Sequence, residues 1–437
     1  MKKMFLVIGF AVMIIAVITG RIFSQQAIPS GTARYEALGY NPYIMDAAID
    51  LDRNPAWGNK YNNYSFGDIG RYSPDTYILT DGTSGLYIAD SNYRLRDQYL
   101  GVNFRLGEEW SLGVILNKAE GEIYNSDMRV YYTVLGNETP VAPFKAIVAY
   151  NTSTNVTLGF APYIAYWNYD NTETSQLISS SINRSTSAIG GTFGILDRMN
   201  SGWTEGTIGL KFNNYSFDST LNGKTTTYEN DGGLEFNAGY RGWYRIKESK
   251  VNIVPYVNFG IFDWQATQTP NTINLASESN WWKLNAGVGI NLPITEDGMF
   301  AGGISGGYQS NSLTVSDTSY SGEMKYELVT FPQFNMGLEW NLADWLQGRF
   351  GYSRAIIRST YKSTATLSSK YYDYESNRTL SSNPDQTLTA GLGMQFGGFS
   401  LDGLIGERFI QQGPNVLSGD SNDLYGVVSI SYNFKRY

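Results

Sequence analysis

The sequence contains neither cysteine nor histidine. Without cysteine the chain can form no disulfide, no thiolate nucleophile and no cysteine-ligated zinc site. Without histidine, a Ser–His–Asp triad, a histidine-ligated metal and a histidine pH switch are all excluded. The segment Gly303-Ile304-Ser305-Gly306-Gly307 has the spacing of a nucleophile elbow but lacks the base that such a serine needs. We therefore predict a protein that is not an enzyme and that holds no metal or other cofactor.

Charge and long hydrophobic runs are also scarce. Charged residues make up only 16% of the chain, the formal net charge is −8, and no basic cluster follows the first three residues. A nucleic-acid partner is therefore not expected. After the N-terminus no run of about 18 apolar residues occurs, so the sequence predicts no membrane-spanning helix there. The slightly negative mean hydropathy is what barrel strands give, because only half of their side chains are apolar.

The N-terminus has the three parts of a secretory signal. Lys2 and Lys3 precede an apolar run over residues 4–19, and a small residue, Ser24, follows shortly after it. This pattern predicts a signal peptide over residues 1–25 that is cleaved near Ser24. The alternative is a single anchoring helix, but the run is short for spanning a membrane and Arg21 interrupts it.

Most of the chain alternates apolar with small or polar residues. One such stretch covers residues 328–341, whose even positions are Leu328, Thr330, Pro332, Phe334, Met336, Leu338 and Trp340. A strand turns successive side chains to opposite faces, so one face of each strand is apolar and the other mostly polar. Pairing Trp340 with Leu346 puts Met336 opposite Phe350 and keeps the apolar faces together. A soluble sandwich shows the same alternation, so further features are needed to choose between the two.

Connection lengths and the last strand favour a membrane barrel. Short turns alternate with long polar loops, and tryptophans and a tyrosine lie near the short turns: Trp110, Trp203, Trp243, Tyr244, Trp340 and Trp345. These features predict short periplasmic turns and an aromatic girdle at the membrane surface. The last strand carries Val428, Ile430, Tyr432 and Phe434 on one face and would pair with the first strand, because open edges cannot remain in lipid. The fold class predicted is a transmembrane antiparallel β-barrel of 14–16 strands in the outer membrane of a Gram-negative cell. Its partners would then be outer-membrane lipid and the barrel-assembly machinery.

These features predict that the chain divides into three parts. The signal peptide is followed by an N-terminal plug over residues 26–84 and by the barrel over residues 85–437. In the plug, Ile44, Ala47, Ala48 and Leu51 have helical spacing within residues 42–52. Pro55 ends this helix, because a proline disfavours helical geometry in the residue before it.

Charges and prolines within the strands are the other candidate functional features. By strand parity the side chains of Lys211, Glu339, Arg349, Asp402 and Arg408 face inward, because charges facing lipid are costly. They could guide a polar head group or form a selectivity ring, or they could pair with one another. Prolines occur in three strands, where each removes a ladder donor: Pro162, Pro255 and Pro332. Such a break is usually a bulge, and it can also open a lateral gap in the wall.

The segment Asp46-Ala47-Ala48-Ile49-Asp50-Leu51-Asp52-Arg53-Asn54-Pro55-Ala56 resembles the N-terminus of FadL-type outer-membrane transport proteins. The related PorV-type shuttle proteins of type IX secretion share this feature. The chain departs from the family at Trp57, where a glycine is usual, and lacks the glycine-rich stretch before the helix. The resemblance implies that Asp46, Asn54, Pro55 and Ala56 belong to a plug inside the barrel.

The same resemblance implies passive uptake of small hydrophobic, fatty-acid-like molecules. Such a molecule would enter from outside, meet an apolar pocket that includes Phe331 and Tyr256, and leave sideways or past a shifting plug. Two other classes stay open. The first is a general diffusion porin, and the second is a binding or assembly protein, such as a secretion shuttle with a secretion-system partner or a surface anchor.

Overall fold

The computed structural model describes twelve parts of the chain, which are residues 32–69, 99–119, 141–174, 179–221, 223–246, 249–269, 276–295, 297–316, 320–367, 370–380, 387–405 and 425–434. The predicted signal peptide and the predicted inward residue Arg408 lie outside these ranges. Among the described residues, no helix is long and apolar enough to cross a membrane.

Three short helices lie at the start of the described chain: α1 (Thr32–Ala37), α2 (Ala47–Arg53) and the 3₁₀ helix η1 (Pro55–Asn59). Asp46 caps α2, because its side chain accepts the N–H of Ile49 at 3.4 Å. Asn54 caps η1 in the same way, accepting the N–H of Ala56 at 3.0 Å, and Pro55 begins that helix. The helix predicted over residues 42–52 is therefore shorter and begins at Ala47.

Strands make up most of the rest. They are β1 (Tyr64–Ile69), β2 (Tyr99–Leu106), β3 (Trp110–Leu116), β4 (Lys118–Ala119), β5 (Val141–Asn151), β6 (Val156–Thr174), β7 (Ser179–Met199), β8 (Gly202–Leu221), β9 (Lys224–Arg245), β10 (Asn252–Thr269), β11 (Ala276–Pro293), β12 (Gly298–Ser316), β13 (Tyr320–Ala343), β14 (Leu346–Leu367), β15 (Lys370–Leu380), β16 (Thr387–Phe396), β17 (Phe399–Ile405) and β18 (Tyr425–Asn433).

The strands form a closed antiparallel barrel of 16 strands. Strands β3 and β4 share one position in the wall, since both pair with β5. Strand β16 pairs with residues 346–353 of β14, and β15 pairs with residues 357–367 of the same strand. Strand β15 therefore lengthens the wall beyond β16 and adds no further strand position around the barrel. The barrel closes where β1 pairs with both β18 and β2. The predicted fold class and its range of 14–16 strands are confirmed.

The predicted plug range of 26–84 extends too far along the chain. Tyr64–Ile69 is a wall strand that pairs on both of its sides, so the wall begins at Tyr64 and not at residue 85. Tyr64 and Phe66 point inward and are buried, which gives this short strand the alternation of the other wall strands. Hereafter "the plug" means residues 32–63.

The register predicted for β13 and β14 is wrong by two residues. Trp340 pairs with Gly348, and Leu338 pairs with Phe350. The difference arises because the turn between Ala343 and Leu346 is shorter than predicted and a bulge follows Asn341. A shift of two residues leaves each side chain on its predicted face.

The outer surface carries a band of exposed apolar side chains, which include Phe104, Leu112, Leu158, Phe193, Ile208, Leu234, Val257, Leu284, Phe334, Phe350 and Leu388. Next to the short turns, Trp345 stacks with Phe396 and Trp110 lies against Tyr150 on this outer face. At the opposite edge of the band, Trp282 lies against Tyr308. Aromatic rings at both edges of an apolar band are typical of a barrel in lipid.

Several strands continue far beyond this band. Strand β13 has 24 residues and β14 has 22, whereas about 9–11 residues cross a membrane. Charged residues lie on the outer face above the band, among them Lys325, Glu327, Lys362 and Glu375. We call this part of β13, β14 and β15 the extension, and it lies at the end opposite the short turns.

Candidate functional site

The plug lies inside the barrel at the end with the short turns, where Asn59 donates to the carbonyl oxygen of Glu109 at 2.9 Å. Its apolar side chains form one buried cluster with inward residues of the wall, which includes Leu38, Tyr43, Ile44, Ala47, Ala48, Leu51, Ala56, Trp57, Val254, Met299 and Ala301. The four residues predicted to share a helix face are all in this cluster. The plug is therefore packed like a protein core, not suspended in a water-filled pore.

Trp57 is fully buried and is the largest such side chain in the described part of the chain. Its ring lies 5.9 Å from the ring of Trp243, 6.0 Å from that of Trp203 and 5.4 Å from that of Tyr61. Trp203 and Trp243 therefore face the plug, and their predicted place in the outer girdle is wrong. The parity of β8 and β9 turns these two rings inward, on the same side as Glu205 and Arg241.

Three of the predicted inward charges come together on one side of the plug. Arg349 donates to Glu339 at 2.7 Å and also binds Asp402. Arg34 of α1 donates two hydrogen bonds to Glu339, at 2.8 and 3.0 Å. Burial would lower the pKa of Arg34, but Glu339 and Asp46 together hold it above its usual value. All four charges of this network are buried.

A second network lies on the opposite side of the plug. Arg241 of β9 binds Asp50 of α2 and donates to Glu205 of β8 at 2.6 Å. Its guanidinium also donates to the carbonyl oxygens of Pro42 and Ile44 at 3.2 and 3.1 Å. The sequence analysis did not single out Arg241 or Glu205, although both follow the inward parity used for the other charges.

The two networks are joined through α2. Arg34 donates to the Asp46 carboxylate at 3.2 Å, and the Asp46 N–H donates to the Asp50 carboxylate at 3.0 Å. A continuous line of buried charges therefore crosses the plug from Asp402 on β17 to Glu205 on β8. A charge removed from water is tolerated when it is paired and hydrogen-bonded, as each member of this line is.

The remaining predicted site residues lie elsewhere. Lys211 pairs with Glu235 at 3.4 Å on β8 and β9. Tyr256 points inward, with its ring 5.8 Å from that of Tyr43 in the plug. Beside Tyr256 the plug leaves a cavity of about 20 Å³, bounded also by Pro42, Arg53 and Asn258. That volume holds about one water molecule, so no apolar pocket for a solute exists at this point.

The predicted inward position of Phe331 is wrong. Phe331 lies on the outer face and is 63% exposed. The cause is a bulge between Thr330 and Gln333, where β13 has one residue more than either neighbouring strand. An extra residue reverses the parity of the strand beyond it. Pro332 lies within this bulge, as expected of a proline inside a strand.

The other two strand prolines interrupt their ladders without shifting the register. No pairing joins β5 to β6 between Lys145–Tyr163 and Val148–Phe160, the interval that contains Pro162. Pro255 lies in a similar interval between β9 and β10. Each proline lacks one N–H and interrupts the ladder on one side of its strand only, because Pro162 and Pro255 stay in register with β7 and β11.

Wall asparagines bind the backbone of the plug. The amide of Asn103 donates to the carbonyl oxygens of Gly58 and Tyr61 at 2.7 and 2.8 Å. Asn291 donates to that of Tyr43, and Asn335 to that of Gly39, both at 3.0 Å. Irregular backbone inside a barrel must find such partners, and these side chains supply them. Sequence reasoning treated inward asparagines only as a polar face, because their partners come from a segment distant in sequence.

Two wall glycines allow the plug backbone to approach closely. A Cβ atom at Gly159 would lie 2.2 Å from the backbone nitrogen of Ala56, and one at Gly351 would lie 2.2 Å from that of Gly39. Both distances are below any van der Waals contact, so only glycine fits at these positions.

Lys60 follows η1 and lies among aromatic rings. Its ammonium is 4.2 Å from the ring centroid of Trp203 and 4.7 Å from that of Trp57. Burial lowers the pKa of Lys60 to about 8. The negative charge of Asp50 raises this pKa in part, and the positive charge of Arg198 lowers it further. The rings stabilise the cation in part, since cation–π contacts favour the charged form.

The extension carries a tyrosine cluster on its inner face, made of Tyr326, Tyr361, Tyr372 and Tyr374. Tyr326 pairs with Tyr361, and the rings of Tyr361 and Tyr374 are 6.2 Å apart. The inward parity of Arg349, Gly351 and Ala355 continues along β14 to Tyr361, and residues paired directly across strands share a face. Tyr372 and Tyr374 are 53% and 56% exposed. This cluster was not predicted from the sequence, because its four rings are brought together from three separate strands.

Comparison with known proteins gives no family. No family model matches the chain, and no curated protein is similar to it in sequence. Among solved structures, the Pseudomonas putida toluene transporter TodX is 9% identical with a TM-score of 0.36, over 95% of this chain and 100% of that chain. The alcaligin outer-membrane receptor FauA from Bordetella pertussis is 7% identical with a TM-score of 0.35, over 84% and 74% of the two chains. The translocator domain of the autotransporter NalP from Neisseria meningitidis is 15% identical with a TM-score of 0.27, over 65% and 90%.

Similarities this weak support no statement about what the chain binds. The chain's own architecture defines its class. A closed antiparallel barrel with an apolar outer band is the outer-membrane type of β-barrel, and residues 32–63 give it an internal plug.

Proposed function

We propose that this barrel takes up small hydrophobic or amphipathic molecules, such as fatty-acid-like compounds, from outside the cell. The observation that carries the proposal is the tyrosine cluster on the inner face of the extension. Exposed Tyr372 and Tyr374 offer apolar ring faces with a hydroxyl at the edge, which suit a solute with an apolar body and a polar group.

The distribution of charge on the extension supports the same class of solute. Lys362 and Glu375 pair at 3.5 Å on the outer face of β14 and β15. On the inner face, Tyr361 pairs with Ser376, and Tyr374 pairs with Ser363. The rings and hydroxyls at these four positions do not select ions, which favours uptake of apolar solutes over an ion-selective pore.

The plug argues against a general diffusion porin. Its core and its buried ion pairs occupy the end of the lumen with the short turns, so a wide aqueous path along the barrel axis is not expected. Planar-bilayer recordings give the direct comparison. A large steady conductance from the unmodified protein would favour the porin.

Uptake into proteoliposomes tests the proposal. The probes are a fluorescent medium-chain fatty acid and, as the polar comparison, a labelled disaccharide. We expect uptake of the fatty acid only, and a reduced rate when Tyr372→Ser and Tyr374→Ser are combined. Tyr371→Ser is the matched control, because Tyr371 is the adjacent residue, is 66% exposed and faces outward.

Equal rates in all variants would contradict a role for the cluster. No uptake by the unmodified protein would contradict the function itself, and co-purification with a secretion partner would then favour a shuttle or assembly role.

A further inference from the structure

We infer that residues 32–63 are a fixed brace of the barrel wall and do not leave the lumen or shift aside when a solute moves. This inference goes beyond the proposed function. It assigns the plug a structural role, and it excludes an exit along the barrel axis for any solute that the proposed function brings in.

Anchors of the plug are distributed around the wall. The plug forms hydrogen bonds or ion pairs with strands β1, β2, β5, β7, β8, β9, β11, β12, β13, β16 and β18. A gate that swings on one hinge keeps its contacts on the hinge side only. Here opposite sides of the wall are held, so movement in any direction breaks anchors on the far side.

A line of buried charges runs through the plug from Asp402 to Glu205. It connects β17 with β8 through Arg34, Asp46 and Asp50 of the plug. Removing one partner from such a line leaves an uncompensated charge. The line therefore joins two distant parts of the wall through the plug, so the loss of the plug would leave charges of the wall without partners.

The plug backbone fits closely against the wall. Gly159 and Gly351 leave no room between wall and plug, and displacement would expose the fully buried Trp57 and Tyr43. Apolar surface of that size is costly to hydrate. A moving plug would need smoother and more polar contact surfaces.

The plug is continuous with the strand that closes the barrel. The plug ends at Asn63, and Tyr64 is already in β1, the strand that closes the barrel. The N–H of Phe434 donates to the carbonyl oxygen of Asn63 at 2.8 Å, and the N–H of Arg105 donates to its side chain at 3.1 Å. Displacement of the plug would therefore strain the pairing of β1 with β18 and β2.

Hydrogen exchange of the full protein in lipid nanodiscs tests the inference without any solute. The plug amides to follow are those of Asp50 and Asn54, whose N–H groups donate to the carbonyl oxygens of Asp46 and Asp50. We expect their exchange rates to lie within about tenfold of those of the wall amides of β13, because plug and wall amides open only when the barrel unfolds. Exchange of the plug amides about a hundredfold faster than the wall would overturn the inference, because the plug would then open by itself.

Reversible cross-links give a second test that includes transport. Because the chain has no cysteine, Gly58→Cys with Ala149→Cys adds a unique pair that joins plug to wall. The Cβ of Ala149 lies 3.0 Å from a Cβ built at Gly58, and only the Ser111 hydroxyl is closer. A shift of a few tenths of an ångström gives the usual disulfide spacing. Asn213→Cys with Gly233→Cys is the matched control, since it joins two wall strands. The Cβ of Asn213 lies 3.4 Å from a Cβ built at Gly233.

We expect oxidation to leave the uptake rate of both pairs within about twofold of the reduced rate, because a bond to an immobile plug changes nothing. A loss of uptake in the plug–wall pair alone, restored by dithiothreitol, would overturn the inference. If no variant takes up any probe, the proposed function fails, and hydrogen exchange still decides whether the plug is fixed.

Discussion

Arg34 in the plug donates two hydrogen bonds to Glu339 in the wall, across 305 positions of sequence. The same carboxylate accepts a hydrogen bond from Arg349, which in turn binds Asp402. One plug side chain therefore organises charges from three separate wall strands.

Arg34→Met should destabilise the protein by about 3 kcal/mol, because it leaves Asp46 and Glu339 buried with fewer partners. The measurement is urea unfolding in detergent, followed by the gel mobility of folded and unfolded barrel. Lys362→Met is the control, since Lys362 and its partner Glu375 are 50% and 49% exposed, and a surface pair contributes about 0–1 kcal/mol. Equal effects of the two substitutions would show that the buried network does not hold the plug.

Trp57→Ala should cost about 3–5 kcal/mol, because it empties a fully buried site among three aromatic rings. The same unfolding assay measures it. Trp345→Ala removes an equally large ring from the outer face, where the ring is 48% exposed, and should cost less. A larger effect at Trp345 would mean that the lipid-facing girdle, and not the plug core, dominates stability.

Gly351→Ala should loosen the plug by overpacking, at a cost of about 1–3 kcal/mol. The readout is limited proteolysis, in which cleavage within residues 32–63 should become faster while the wall stays resistant. Gly209→Ala is the control, because a Cβ there would meet its nearest atoms at 3.5–3.9 Å, ordinary contact distances. Unchanged proteolysis of the Gly351→Ala variant would argue that the wall there adjusts to the added methyl group.

Lys60 should make stability depend on pH in a defined direction. Its folded pKa of about 8 lies below that of an unfolded lysine, about 10.4. Between these values the unfolded chain binds more protons, so this group makes stability rise with pH from about 8 to 10.4 and leaves it unchanged below 8.

The test of this pH effect compares wild type with Lys60→Met across pH 7–10, the range that spans the folded pKa. The wild-type protein should gain stability relative to the variant above pH 8. A difference that stays flat, or that falls with pH, would contradict a lowered pKa. Lys362→Met is the control for removal of a surface lysine.

The strand pattern was largely predictable, because period-two alternation is a local property of the chain. It gave the barrel, the faces of most wall residues and the inward parity of Glu339, Arg349 and Asp402. It failed where one residue is inserted, since the bulge before Gln333 turned Phe331 outward. It also missed β1, whose six residues are too few to show a clear alternation.

The plug contacts were not predictable from sequence. Asn54 and Pro55 are readable as local caps, but nothing local indicates that Arg34 meets Glu339 or that Gly159 faces Ala56. Trp203 and Trp243 show the difficulty, because tryptophans near short turns suit a membrane girdle and a buried plug equally well. Their orientation depends on strand parity together with a partner, Trp57, that lies far away in the chain.

The sequence by itself determined the class of protein and the lipid-facing side of its wall, because the alternation of apolar and polar residues is a local property that does not depend on distant contacts. Only the tertiary structure decided what the inside does. Buried charges, amides and glycines have no fixed meaning until a partner is placed opposite them, and here that partner is a plug held from all around the barrel.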